Sequence, residues 1–243
     1  MISTIEEIHY WPVRDIDYAP YFQEVQPNGK TLSEKEREKF IAIIDDVVSR
    51  YISGFPMIKQ ELERISDIND DYHILSRVVN SMSLFVLMTM TDMMIASKYF
   101  LKADKDYERR YMRGKLRVLQ NEGFKKLYGF KDKNILESEW MRLKPFIDRF
   151  PVLIQEQYRK ITSFLDIYSK NSSWWKKDRD LETHLDAENL FLSRQEEINE
   201  SKVMMDSMKL YETLDAVNVF LTNAHACITN YAVKKYFEGE IKE

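Results

Sequence analysis

From Leu210 to Tyr231 apolar side chains recur in steps of four and three: Leu210, Leu214, Val217, Leu221, Ala224, Ile228 and Tyr231. That period collects them on one stripe of an α-helix, whereas on a strand they would scatter over both faces. A stripe of this length must be covered by other helices, as in a bundle or a coiled-coil-like pair. The segment from about Asn199 to Phe237 is therefore expected to be one long helix lying at the core. Only six Gly and six Pro interrupt 243 residues, so long elements are expected elsewhere too. No strand-like alternation, internal repeat, G-x-G-x-x-G or P-loop is present, and the fold class read from the sequence is all-α.

Four further stretches carry helical signals. "TLSEKEREKFIAIIDDVVSRYISGF" has Ser33 as N-cap and Glu36 three residues on, the capping-box spacing. It is expected to stop near Gly54 and Pro56, with a short helix following to about Ser66. From Asp70 or Asp71 to about Leu101 runs an apolar helix with Ile74, Val78, Met82, Phe85, Met88, Ile95 and Tyr99 at helical spacing. Residues 106–130 read as a basic amphipathic helix ending near Gly129, in which Gly114 and Gly123 would allow close helix approach. Residues 138–171 are helical but should be kinked or divided by Pro145 and Pro151. Ahead of all these, Pro12 and Pro20 forbid a long helix, and Trp11, Tyr21 and Phe22 suggest an extended surface strap closed by the Asn28-Gly29 turn. The expected organisation is an N-terminal strap with accessory helices (1–69) followed by a bundle of about four long helices (70–243).

Composition removes several classes of function. A net charge of −4 provides no global field for nucleic acid, so any RNA contact must be local. The single Cys227 excludes an internal disulfide and fits a reducing compartment, and within the seam helix it reads as a small hydrophobe. "MISTIEEIHYW" lacks the basic start of a secretory signal. The most apolar run (82–101) has bilayer length, but Asp92, Lys98, Thr89, Thr91 and Ser97 make it a core helix rather than a membrane span. The expected location is cytoplasmic, without a membrane. The only Glu-x-x-His spacing, Glu6 and His9, falls in the strap, and no His-Glu-x-x-His or Cys cluster exists, so neither a metal nor a cofactor is expected. His73 reads as a first-turn residue. His225 belongs to a polar stripe with Asn218, Thr222 and Thr229 beside the seam. Asp92, on the apolar row of its own helix, should either pair with a cation or face a cleft.

The remaining polar cluster is "WWKKDRDLETHLD", residues 174–186, where Arg179 precedes His184 by five and Asp180 follows the arginine. Histidine is suited to proton transfer near neutral pH, and arginine offers two parallel donors to a phosphate. Metal-free RNA cleavage needs these parts: a base for the ribose 2′-hydroxyl and a cation for the charge that builds on the phosphate oxygens. The 2′-hydroxyl would restrict such chemistry to RNA.

Arg-x4-His with a polar residue after the arginine resembles the motif of the HEPN (higher eukaryotes and prokaryotes nucleotide-binding) superfamily. The resemblance covers roughly 70–240, with helices at about 71–101, 106–129, 138–170 and 199–237 as the bundle. It implies a homodimer in which two motifs meet, RNA as ligand, and metal-independent endoribonuclease activity of a defence or toxin–antitoxin kind, with an antitoxin as protein partner. Arg179 would then hold the phosphate, His184 would handle protons, and Asp180 would orient the pair. The superfamily also contains members that bind without cutting. Under this reading the basic helix, with Arg109, Arg110, Arg113, Lys115 and Arg117, supplies a phosphate track, although Glu108 and Glu122 dilute it into an ordinary solvated face. A different class remains open: a non-enzymatic helical adaptor using Met- and aromatic-rich surfaces. An enzyme calls for a cleft where two Arg179/His184 pairs converge, and an adaptor for an exposed apolar groove.

Overall fold

The structure is a computed structural model that describes residues 31–68, 70–130, 135–171 and 198–237. Five α-helices and one 3₁₀ segment account for most of these residues, and no strand occurs among them: α1 (Glu34–Arg64), α2 (Asp71–Lys102), α3 (Asp106–Leu127), the 3₁₀ segment Trp140–Arg149, α4 (Val152–Asn171) and α5 (Glu200–Phe237). The expected all-α class is what the chain adopts. The N-terminal strap lies outside the described residues.

α1 begins where its cap dictates. Ser33 Oγ accepts from the Glu36 amide at 3.3 Å, and the Glu36 carboxylate accepts from the Ser33 amide at 2.7 Å, closing both halves of the capping box. The expected stop near Gly54 and Pro56 is not observed. The helix runs through both residues to Arg64. Pro56 removes only the bond to the Ile52 carbonyl, and both residues lie on the exposed side, where water can serve that carbonyl.

α2 is the central helix, touching α1, α3, α5 and the 3₁₀ segment. Asp70 caps it by accepting from the His73 amide at 2.9 Å. By length and hydropathy alone it would be long and apolar enough to cross a membrane. Here its buried row is Leu75, Val79, Met82, Val86, Met90, Met93 and Phe100. This corrects the expected inward row. Met82 and Val78 are buried as expected, but Met88, Ile95 and Tyr99 are exposed, because the buried face is turned by about one residue, roughly 100° around the helix. A helix that is apolar on most of its circumference does not announce which stripe its neighbours will cover.

The remaining elements behave as their breakers require. α3 closes on Gly129, whose φ of 95° lies in the left-handed region, and the Gly129 amide bonds back to the Phe124 carbonyl at 3.1 Å. Ser169 Oγ donates to the Gly129 carbonyl at 2.8 Å and so ties this corner to α4. Pro145 sits within the 3₁₀ segment, and extended backbone at Phe150, before Pro151, separates it from α4. The division expected at these prolines is thus present. In α5 the seam residues Leu210, Leu214, Val217, Leu221, Ala224 and Ile228 are all buried, with Tyr231 packed at the margin.

Two apolar clusters join the elements. The larger links α2, the end of α3, the 3₁₀ segment, α4 and α5 around Trp140, which stacks on Tyr158 with ring centroids 4.8 Å apart. The buried indole N–H donates to Thr162 Oγ1 at 2.8 Å, so the largest core side chain leaves no unmet donor. The smaller cluster joins Ile44 of α1 to Ala96, Phe100 and Leu101 of α2, Leu116 of α3, and Val203 and Met204 of α5. α1 is therefore packed into the bundle through this second cluster.

Candidate nucleic-acid interface

Arg179, Asp180 and His184 lie outside the described residues, in the sequence between the end of α4 and the start of α5. What is described is the framework at either side and the basic helix α3.

The first turn of α5 is fixed by a carboxylate clamp. Glu200, buried at 5% exposure, accepts from Arg37 Nη2 at 2.7 Å on both oxygens, from Arg109 Nη1 at 2.8 Å and from the Leu32 amide at 3.3 Å. A carboxylate in the first turn also meets the positive end of the helix dipole. Three segments distant in sequence are thereby drawn to one point: the residues before α1, the start of α3 and the start of α5.

This clamp decides the direction of Arg109, one of the four arginines read as a phosphate track. Its Nε donates to the Ala103 carbonyl at 2.7 Å while its Nη1 is held by Glu200. Arg117 is likewise turned inward. It is 7% exposed, and it donates to Asp206 at 2.8 Å and to Gln120 Oε1 at 3.1 Å, while Gln120 in turn donates to Ser207 Oγ. Arg110 and Arg113 are half-buried, and Arg110 Nε is enclosed without a hydrogen-bond partner among the described residues. Two of the four guanidiniums, those of Arg109 and Arg117, are thus engaged by carboxylates of α5. Glu200 and Asp206, their partners, were missed by reading α3 alone. Their only signal in the sequence is an acidic residue at each of two inward positions of α5.

The outward face of α3 carries different side chains. Tyr107 and Tyr111, one turn apart, face Tyr99 of α2 across a cleft of about 360 Å³, with Lys102 and Glu108 on its walls. Lys115 extends along the same face, its ammonium 5.3 Å from the centre of the Tyr111 ring.

The other residues singled out in the sequence have ordinary surroundings. His73 Nδ1 and Asp70 Oδ2 hydrogen-bond at 2.5 Å across the first turn of α2, and the His73 ring meets Tyr72 edge-on. Burial pushes the Tyr72 hydroxyl up to about 12. Burial also raises the Cys227 thiol to about 11, which keeps it protonated and poorly nucleophilic at neutral pH. Asp92, expected either to pair or to face a cleft, is exposed on the outward side of α2, where partial desolvation raises its carboxyl pKa. His225 is half-buried on α5. Among the described residues no group of three or more His, Cys, Asp or Glu is arranged to hold a metal ion.

No protein-family model matches the chain, and neither a curated protein nor a solved structure matches it.

Proposed function

We propose that this chain is an RNA-binding helical-bundle protein of HEPN type that acts as a homodimer and cleaves RNA without a metal. The observation that carries the reading is the Arg179-Asp180-x3-His184 motif, written between the two core helices α4 and α5 of an all-helical chain. Arg179 holds the scissile phosphate through its planar fork, His184 takes the ribose 2′-hydroxyl proton, and Asp180 orients the pair.

The test is cleavage of single-stranded RNA by the full chain. His184→Ala and Arg179→Ala should each abolish cutting and leave the helical content unchanged. The His184 loss is expected to be about 10²–10⁴-fold, the usual contribution of general acid–base catalysis. Products should carry a 2′,3′-cyclic phosphate, cutting should survive EDTA, and DNA should stay intact. Arg179→Lys should weaken cleavage more than binding. A wild-type chain that binds RNA but never cuts it would remove the catalytic role and leave the binding role.

A second reading is supported by the exposed row Met88, Ile95 and Tyr99 on α2: a helical adaptor that docks a partner through this stripe. A wild-type chain that neither binds nor cuts RNA would favour it.

A further inference from the structure

Asn121 stands in the last two turns of α3 with 1% of its surface exposed. Its amide offers two N–H donors and a carbonyl with two lone pairs. Both Nδ2 and Oδ1 are enclosed, and neither meets a hydrogen-bond partner among the described residues. Polar neighbours in the same layer are served. Gln120 accepts from Arg117 and donates to Ser207, and Arg117 donates to Asp206. Asn80, also buried, meets its need inside its own helix by donating to the Ser76 carbonyl at 3.0 Å. Asn121 makes no such bond back to the carbonyl of Arg117. An enclosed amide with neither its donors nor its acceptor satisfied is costly, and native interiors resolve that cost with a partner.

Tyr168 of α4 runs past the same point. Its ring packs on Phe124, one turn beyond Asn121, with centroids 4.9 Å apart. Its hydroxyl lies within electrostatic reach of Asp206 and Arg117, and Arg117 stands one turn before Asn121. A side chain that packs on Phe124 and reaches toward Arg117 brings its hydroxyl to the level of Asn121, because the three share one row of α3. Burial, aided by the Asp206 carboxylate, pushes this hydroxyl well above its ordinary value, so it stays protonated and able to donate.

The surroundings narrow the occupant. Arg117 and Asp206 balance each other's charge, so the layer does not call for an ion. Among the described residues no group of His, Cys, Asp or Glu is arranged for a metal. An amide that must both donate and accept, beside a hydroxyl, calls for a neutral guest that does both. The 1% exposure of Asn121 requires that guest to be small.

We propose that a buried water molecule is built into the junction of α3, α4 and α5, held between the Asn121 amide and the Tyr168 hydroxyl. Buried waters of this kind join two to four polar groups and are costly to remove. Here the water completes the polar layer of Arg117, Gln120, Asp206 and Ser207 where α4 ends and α5 begins. The proposal is independent of the RNA reading and of Arg179 and His184.

The test is a crystal structure of the full chain at a resolution that shows ordered water, with a double-mutant cycle read by urea unfolding. The structure should show one ordered water about 2.7–3.2 Å from Asn121 Oδ1 or Nδ2 and from the Tyr168 hydroxyl oxygen. In the cycle, Tyr168→Phe should lower the wild-type urea midpoint by about 0.5 M, the scale of one net hydrogen bond over a typical m-value. Leucine has the shape of asparagine without its polar atoms, so Asn121→Leu displaces the water. In that background Tyr168→Phe should lower the midpoint by less than about half as much. An equal shift in the two backgrounds overturns the bridge. A direct Asn121–Tyr168 hydrogen bond would also couple the two variants, and the crystal structure separates the cases. No water beside Asn121, whether its amide bonds directly to Tyr168, bonds to the Arg117 carbonyl or stays dry, overturns the proposal. If either variant fails to fold, the wild-type crystal structure decides alone.

Discussion

Gly123 and Gly54 both lie inside long helices, yet adding one methyl group should move stability in opposite directions. A Cβ built on Gly123 falls 2.7 Å from Cγ2 of Thr89 on the neighbouring α2, while one built on Gly54 meets nothing within 4 Å. Carbon atoms prefer about 3.5–4.0 Å, so the Gly123 methyl overlaps its neighbour by nearly 1 Å. Thr89 cannot swing aside cheaply. It is β-branched, and its Oγ1 donates to the Phe85 carbonyl at 2.8 Å, which fixes its rotamer. Overpacking costs about 1–3 kcal/mol, and an overlap of this size sits toward the upper end of that range. Against it stands the gain of about 1 kcal/mol when alanine replaces glycine in a helix interior. Gly123→Ala should therefore destabilise by about 1–2 kcal/mol, and Gly54→Ala should stabilise by up to about 1 kcal/mol. Urea unfolding followed by circular dichroism reads the difference directly. With m-values of about 1–3 kcal/mol per molar, the two midpoints should separate by on the order of 1 M. Thr89→Ala placed in the Gly123→Ala background removes Cγ2 and should recover most of the loss, a non-additivity expected only of touching residues. If both glycine variants shift the midpoint the same way, or if Thr89→Ala rescues nothing, the close approach of α2 and α3 is wrong.

Other expectations follow from the same structure. Leu214→Ala and Leu221→Ala each empty a fully buried position of the seam and should cost about 2–5 kcal/mol, seen as lower urea midpoints. Glu200→Gln keeps the shape but leaves Arg37 and Arg109 facing a neutral amide. A loss of about 2–4 kcal/mol is expected, below the full value for a buried pair because both arginines reach solvent, and a double-mutant cycle with Arg109→Gln should show coupling. Burial raises the Asp215 carboxyl above its ordinary 3.8. The folded form then holds that proton more tightly than the unfolded form, so Asp215 favours folding below 3.8 and loses this contribution as pH rises through the raised value. Asp215→Asn should accordingly raise the melting temperature at pH 7, with the gap closing as pH falls below 3.8. Parallel melting profiles across pH would count against the half-buried placement.

Several features were legible in the residues because their causes are local. The capping box needs only Ser33 and Glu36, the end of α3 needs Gly129, and the break after the 3₁₀ segment needs Pro151. The seam of α5 was legible for the same reason, since its polar flanks leave one stripe to bury. On α2 the signal failed. Its apolar residues cover most of the circumference, and the packing of α1, α3 and α5 chose a stripe about one residue away from the one that spacing suggests. That choice put Tyr99 into the tyrosine cleft.

The candidate site divides along the same line. The sequence alone supplies Arg179, Asp180 and His184 as a motif, with the chemistry those side chains are capable of. It also shows that α3 is basic, but not where its charges point. Glu200 and Asp206 turned Arg109 and Arg117 inward, 91 and 89 residues apart in the chain. Periodicity and capping are properties of one segment and can be read from it. The partner of a buried charge, and the stripe of an all-round apolar helix that is covered, belong to two segments at once, and only their packing decides them.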